Sequence, residues 1–421
     1  MRESIYKRNE KTIQIVPLFD MNTCNRCLSS KERHYLGRDN YDHCMDCEIN
    51  GYLAYSTRLY RYNRFVEERE HRLILSFPLT QIQENASNFI LKSIQNKRSC
   101  FLEAVCGAGK TEMTFNAILY ALNKKMKICY AIPRKQVVIE LASRFQKHFP
   151  DTIIKSLYDQ SKDDEFAHLL LSTMNQLIHY YQEFDLMIVD EVDAFPFKDN
   201  PFLQRLVQKA LKPNGIIIYM SATISKEYSI LIKKNIIDHF QVYSRFHNHS
   251  LDLPQFEQVI HLEKTFSNKM IPTIIKQKLD EWQNLGKKVL LFVPSILFGI
   301  RMHHILLSYG YLTEIYHSKI KNKSYILNEF KKDKFLFLIT TTILERGVTF
   351  SNINVAVVLS DHPIFTSNVL IQIAGRVGRN LMYPNGEIIF FSEFMSKAMT
   401  KAKSNLILMN KHKLSERIYV E

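Results

Sequence analysis

Seven cysteines in 421 residues are too few, and too unevenly placed, for a disulfide scaffold. No positively charged stretch followed by an apolar core opens the sequence, so nothing reads as a signal peptide. The longest apolar runs, Val289–Val293 and Phe335–Ile339, are strand-length and fall far short of the roughly 20 residues that span a bilayer. There is no short-period repeat and no long low-complexity linker. These absences leave a reducing, cytoplasmic compartment as the expectation. Cys100, Cys106 and Cys129 stand singly in apolar or strand-like contexts, as buried small hydrophobes do.

What is present is an ordinary globular composition, 46% hydrophobic and 23% charged. A single core rarely grows past roughly 250–300 residues, so a chain of this length is expected to form two large domains. The net charge of +14 favours a polyanionic partner, either nucleic acid or an anionic membrane face. A lysine-rich surface kept for solubility would give the same number, so charge leaves that choice open.

Residues 1–23 are polar and mixed, a segment expected to be poorly ordered or a short hairpin. Residues 24–51 carry two Cys-x-x-Cys pairs, and residues 52–76 form an aromatic and basic connector with Tyr52, Tyr55, Arg58, Tyr60, Arg61, Tyr62 and Arg64. Interleaved aromatic and cationic side chains suit base stacking and phosphate contact, and equally suit a structural connector with a charged face. From Phe101 onward short runs rich in Ile, Leu and Val alternate with amphipathic stretches. The first series is Ser99–Val105, Lys127–Ile132, His168–Ser172, Leu186–Val189 and Gly215–Met220, with helices expected at Thr111–Asn123 and Lys135–His148. The second is Gln258–Leu262, Lys288–Val293, Leu312–Tyr316, Phe335–Thr340, Val355–Leu359 and Gly386–Phe391. Continuous apolar strands separated by helices imply parallel sheets covered on both faces, in two α/β lobes over 77–228 and 229–421.

The segment Ala104-Val105-Cys106-Gly107-Ala108-Gly109-Lys110-Thr111 follows an apolar strand and opens a helix, the context a phosphate-binding loop requires. Gly107 and Gly109 let backbone N–H groups close around phosphate oxygens, with Ala108 between them and the helix start adding its positive end. Lys110 is placed to reach the β- and γ-phosphates of ATP, and the Thr111 hydroxyl to ligate Mg²⁺. Ala104 stands where the usual pattern has its first glycine. Asp190-Glu191-Val192-Asp193 ends the run Leu186–Val189, where open α/β sheets bind ligands. Asp190 suits Mg²⁺, and Glu191 suits orienting and activating an attacking water. Ser221-Ala222-Thr223 ends the next strand; alone it is a weak signal. In Gln372-Ile373-Ala374-Gly375-Arg376-Val377-Gly378-Arg379, Arg376 and Arg379 lie three apart, on one face if helical, as arginine fingers for the developing γ-phosphate charge.

Four motifs in this order resemble the DEAD/DEAH-like helicases of superfamily 2, over roughly residues 77–395. That resemblance implies two RecA-like parallel-sheet lobes in tandem and an ATP-driven nucleic-acid motor. It also implies that Gln83, in Leu79-Thr80-x-x-Gln83, touches adenine. Pro133-Arg134 and Ser172-Thr173 resemble strand-tracking motifs of the first lobe. Thr341-Thr342 with Glu345-Arg346-Gly347-Val348-Thr349 resembles the motif joining nucleotide site and strand in the second. Thr341 and Arg346 would then meet nucleic acid, and Gly347 the nucleotide site.

Cys24-x-x-Cys27 and Cys44-x-x-Cys47, separated by sixteen residues, give two thiolate pairs suited to one tetrahedral Zn²⁺. Four sulfurs close the shell, so the site is expected to be structural, with His34 and His43 nearby as non-ligands. A four-cysteine module ahead of a compact two-lobe motor resembles the ComFA-like late competence proteins. The phosphate loop followed by Glu112, the acidic motif and the glycine-arginine motif extend that resemblance over nearly the whole chain. It implies ATP-driven passage of single-stranded DNA through a membrane channel, and a peripheral place at the inner membrane face. It implies cytosolic competence partners too, including a phosphoribosyltransferase-like protein, and a homo-oligomer is a further expectation. A primosomal-type DNA helicase, an RNA helicase and a nucleotide-gated nucleic-acid-binding adaptor remain the rival readings.

Overall fold

The computed structural model describes the chain apart from residues 5–11, 21, 37–41, 49–56, 63–67, 159–166, 248, 346–347, 349 and 419–421. Two compact units emerge, one of Met1–Ala104 with Lys110–Val242, the other of Tyr243–Glu421 with the loop Val105–Gly109. No helix among the described residues is long and apolar enough to cross a membrane.

The first unit begins with β1 (Arg2–Ser4), β2 (Thr12–Pro17), β3 (His34–Leu36), β4 (Asp42–Cys44) and β5 (Arg58–Tyr62). β1 and β2 do not pair as a hairpin; both lie antiparallel to β5, in the order β1-β5-β2. The connector is therefore the central strand of a small sheet, which decides between its two readings at the residues described. Tyr62 and Leu59 are fully buried. The buried Arg61 pairs with Glu3 at 3.0 Å and lies over the Tyr181 ring, 3.4 Å from its centroid. Its charge holds the sheet to the lobe. Tyr52, Tyr55 and Arg64 fall outside the described residues.

There follow α1 (Gln81–Gln95), β6 (Cys100–Ala104), α2 (Lys110–Met113), α3 (Phe115–Asn123), β7 (Ile128–Ile132), α4 (Lys135–His148), β8 (Ile154–Leu157) and β9 (Leu169–Thr173). Then come β10 (Phe184–Val189), α5 (Pro201–Ala210), β11 (Leu211–Ser221), α6 (Lys226–Lys233) and β12 (Asp238–Val242). The seven strands are all parallel, in the order β12-β6-β11-β10-β7-β9-β8. The central strand β7 is buried along its whole length, and the runs Leu186–Val189 and Ile216–Met220 beside it are continuously apolar, as a sheet covered on both faces requires. The edge strands β8 and β12 carry Lys155, Asp238 and Gln241, so their pattern did not announce them. β12 pairs in register with β6, which carries this unit to Val242. The helix expected over Thr111–Asn123 is broken: Thr114 donates its hydroxyl to the Thr111 carbonyl at 2.6 Å, and the helix restarts at Phe115.

The second unit runs β13 (Gln255–Gln258), α7 (Leu262–Ser267), α8 (Thr273–Asn284), β14 (Lys288–Phe292), α9 (Ile296–Ser308), β15 (Thr313–Tyr316), α10 (Lys323–Lys331), β16 (Phe337–Thr340), β17 (Ile353–Val358), α11 (Ser367–Ala374), β18 (Ile388–Ser392) and α12 (Lys397–Ile418). Its six parallel strands lie in the order β13-β18-β17-β14-β16-β15. Trp282, the lone tryptophan, is fully buried in this core and donates its indole N–H to Glu387. The strand expected at Gln258–Leu262 sits three residues earlier. His261 adopts a left-handed φ of +55°, and Leu262 already starts α7.

Candidate functional site

Five chain segments meet at the C-terminal ends of the first sheet. β6 delivers the phosphate-loop residues as it ends at Ala104, which is still in strand conformation, so a methyl group is tolerated where a glycine is usual. Gly107 and Gly109 have φ of +84° and +83°, a region in which any side chain is strained. Ala108 between them is buried. The Lys110 ammonium folds back over the loop to donate to the Ala104 carbonyl at 2.7 Å, a bond that a phosphate oxygen can replace. Thr111 follows at the start of α2.

On the neighbouring strands, β10 ends at Val189 and presents Asp190, whose amide bonds Ala131 on β7 at 3.0 Å. Burial, and then the adjacent Glu191 charge, push the Asp190 carboxyl up to about 6, while Lys110 opposes the rise. This carboxylate is short of positive charge. A divalent cation would supply it, and the available donors are the Thr111 hydroxyl and the Asp190 oxygens. That hard-oxygen set fits Mg²⁺. Glu191 holds a left-handed φ of +55°, a conformation costing an L-residue roughly 1–2 kcal/mol. The acidic turn is tied to the Ser221-Ala222-Thr223 turn. Thr223 donates its hydroxyl to Asp193 at 2.8 Å, and the Val192 amide bonds the Met220 carbonyl at 3.2 Å.

Glu112 is buried and pairs with Arg144, which sits on α4. α4 begins directly after Pro133 and Arg134, and Arg134 occupies its N-cap position. Ser172 and Thr173 end β9, the parallel neighbour of β7, so both pairs lie on one edge of the sheet. Ser172 spends its hydroxyl on the Thr173 carbonyl at 2.9 Å. Gln83 is buried at the third position of α1. Its side-chain oxygen accepts from the Thr80 amide at 2.9 Å while the Thr80 hydroxyl accepts from the Gln83 amide, a reciprocal cap.

In the second unit Thr341 follows β16 at its C-terminal end, and Arg346 and Gly347 lie outside the described residues. Arg376 and Arg379 do not share a helix face, because α11 stops at Ala374 and Gly378 turns the chain with a φ of +66°. Arg376 is buried and donates to the Val348 carbonyl, while Arg379 Nε donates to the Gly375 carbonyl at 2.8 Å. Two residues that drew no notice in the sequence hold this turn. Arg245 Nη1 and His247 Nε2 both donate to the Gly378 carbonyl, at 2.7 and 2.8 Å. Burial and then the Arg379 charge lower Arg245 to about 10. Neither residue belongs to a recognisable motif, so only their spatial placement reveals them.

The four cysteines converge. Their sulfurs all lie within 4.8 Å of one another, with Cys24–Cys47 at 3.7 Å and Cys27–Cys44 at 3.6 Å. Tetrahedral thiolates on Zn²⁺ bonds of ~2.3 Å have sulfur–sulfur edges of about 3.8 Å, so the arrangement fits zinc. The Ser29 hydroxyl touches Cys44 at 3.0 Å. Hydrogen bonding from Cys24, and then Cys27 and Cys47, draws the Cys44 thiol well below the ordinary range. His43 is buried outside this cluster of ligands. The cysteines share one apolar cluster with Leu203, Leu206 and Val207 of α5. From the same helix Arg205 bonds the Cys27 carbonyl at 3.3 Å and pairs with Asp46. The fully buried Lys209 donates to Glu3 at 2.9 Å, to the Arg26 carbonyl at 2.7 Å and to the Ile178 carbonyl at 2.8 Å.

The DEAD/DEAH box helicase family model matches residues 80–231, and that of the helicase conserved C-terminal domain matches residues 267–381. The competence protein ComFA of Bacillus subtilis (strain 168) is 34% identical over 394 residues, covering 92% of this chain and 85% of that protein. The competence protein ComFA of Streptococcus pneumoniae (strain R6) is 31% identical over 395 residues, covering 92% and 90%. Among solved structures, Dbp5 of S. cerevisiae bound to RNA and ADP BeF3 superposes with a TM-score of 0.60 over 79% of this chain and 87% of that one. Its 16% identity makes this a likeness of fold alone.

Proposed function

Because the chain belongs to the ComFA family of competence proteins and has the helicase domains of a superfamily 2 nucleic-acid-dependent ATPase, we propose that it is a single-stranded DNA translocase that draws transforming DNA into the cytoplasm. The observation that carries this reading is the convergence of Lys110, Thr111, Asp190 and Glu191 at one sheet edge, tied through Asp193 and Thr223 to the next turn. Lys110 exchanges its Ala104 partner for phosphate oxygens. Thr111 and Asp190 hold magnesium, which when bound neutralises charge on the phosphates. Glu191 orients the attacking water and accepts its proton. Arg376 and Arg379 stabilise negative charge developing on the transferred phosphoryl group, while Gln83 and Gly347 complete the nucleotide contacts.

Pro133, Arg134, Ser172 and Thr173 grip the strand from one unit, and Thr341 and Arg346 from the other. These contacts go to phosphate and sugar and carry little sequence information. Cycles of hydrolysis shift the two grips in turn, an inchworm advance along one strand. Cys24, Cys27, Cys44 and Cys47 bind structural zinc. The protein works at the inner face of the membrane, beside the uptake channel, with cytosolic competence partners that include a phosphoribosyltransferase-like protein.

The test is the steady-state ATPase rate with single-stranded DNA, duplex DNA or single-stranded RNA as separate activators. Single-stranded DNA is expected to stimulate most, and Lys110→Ala and Glu191→Gln to abolish turnover. Equal or greater stimulation by RNA would replace the proposal with an RNA helicase. No stimulation by any nucleic acid would replace it with a nucleotide-gated adaptor.

A further inference from the structure

Tyr130 lies in the middle of β7 with no exposed surface. Its strand neighbours Cys129 and Ala131 face the apolar cluster on the other side of the sheet. The Tyr130 ring packs edge-on against Phe145 of α4, 5.4 Å between centroids. A phenylalanine would fill that space equally well, so packing accounts for the ring and not for the hydroxyl.

The hydroxyl has a specific destination. It donates to Asp190 Oδ2 at 3.2 Å, while the Glu191 amide donates to Asp190 Oδ1 at 2.8 Å. Each carboxylate oxygen thus has one fixed donor, and together they set the plane of the carboxylate. A single buried side chain therefore holds a carboxylate assigned to magnesium. β7 brings it there because Tyr130 pairs with Ile188, two residues before Asp190 on the adjacent parallel strand.

We infer that Tyr130 is a positioning residue for the magnesium site, its phenol holding the Asp190 carboxylate in the orientation that binds metal-loaded nucleotide. The inference rests on the assignment of Asp190 to magnesium. Groups that orient metal ligands typically contribute 10–100-fold to metal affinity, about tenfold being the expectation for one hydroxyl on one ligand. In the physical terms of the site, a carboxylate free to rotate must be ordered again at every binding event.

The measurement is binding of fluorescent ADP to full-length protein, titrated with Mg²⁺ and repeated in EDTA. Tyr130→Phe keeps the ring and removes only the oxygen. It is expected to raise the Mg²⁺ concentration for half-maximal tight binding about tenfold and to leave affinity in EDTA unchanged. A purely structural role would instead weaken binding equally in both buffers, or lower the thermal midpoint, and either result overturns the inference. So does wild-type Mg²⁺ dependence in Tyr130→Phe. Asp190→Asn serves as the reference. If it too keeps wild-type Mg²⁺ dependence, the metal assignment fails and the inference falls with it. If it alone loses that dependence, the assignment stands and Tyr130 has no part in it.

Discussion

Replacing Lys209 with methionine tests how the cysteine-bearing segment is fastened to the ATPase lobe. The Lys209 ammonium has no exposed surface and three partners, Glu3 and the carbonyls of Arg26 and Ile178. Methionine refills the stem but donates nothing. The two carbonyls lose a buried donor, at about 1–3 kcal/mol each, and Glu3 keeps only Arg61. Part of this is offset, because the variant no longer has to strip water from an ammonium group. The net expectation is a loss of about 3 kcal/mol, or roughly 6–12 °C in melting temperature for a domain of this size. Lys212→Met removes the same charge from a half-exposed pair with Asp185 and is expected to shift melting by no more than ~2 °C. The assay is thermal unfolding of the nucleotide-free protein, with zinc release to a chelator followed in parallel. Lys209→Met is expected to melt early and to release zinc faster, since the Arg26 carbonyl adjoins Cys27. Melting of the two variants at the same temperature would refute the reasoning.

Gly378→Ala is expected to lose ATPase activity while the protein stays folded, since a Cβ there would meet the Pro384 carbonyl at 2.2 Å in a left-handed turn that also places Arg379; wild-type turnover would show that the turn can relax. His71 is held neutral by burial and then by His168, with its Nδ1 on the Thr152 hydroxyl at 3.0 Å, so its pKa is lowered in the folded state. Its stabilising contribution is complete above the unfolded value of about 6.5 and fades as pH falls below it. Thermal midpoints measured from pH 7.5 down to 5.5 should therefore fall more steeply for wild type than for His71→Gln, and parallel curves would remove His71 from the account.

The parts of the fold that could be read from residue order are those where one physical cause dominates. Central runs such as Ile128–Ile132 and Leu186–Val189 are buried on both faces and need continuous apolar side chains, so they stand out. Lys110, Asp190 and the four cysteines stand out because phosphate and zinc chemistry restrict both residue type and spacing. Where two causes compete, the pattern misleads. Thr114 breaks a helix whose apolar period continues across it, because a short side-chain bond to Thr111 wins locally. Arg61 and Tyr62 look like nucleic-acid contacts but are consumed by Glu3 and by burial in a three-stranded sheet. Tyr130, Arg245 and Lys209 were illegible for another reason. Their partners lie on other elements, distant in sequence, and no local pattern marks a phenol, a guanidinium or an ammonium that will meet a carboxylate or a carbonyl only after folding.

The pairing of Pro17 with Arg58, continued by the Leu18 amide on the Thr57 carbonyl at 3.0 Å, has a consequence for the plan of the chain. All four cysteines lie between those two points, so the cysteine-bearing segment leaves and re-enters the sheet through a neck one strand pair wide. Topologically it is an insertion into a sheet that is already closed without it. A short turn joining β2 to β5 would excise it and leave the order β1-β5-β2 intact. The excision would, however, uncover the side of α5 that bonds Arg26 and Cys27. A version of this ATPase without the cysteine segment therefore requires two edits, a new turn at the neck and new residues at Arg205 and Lys209.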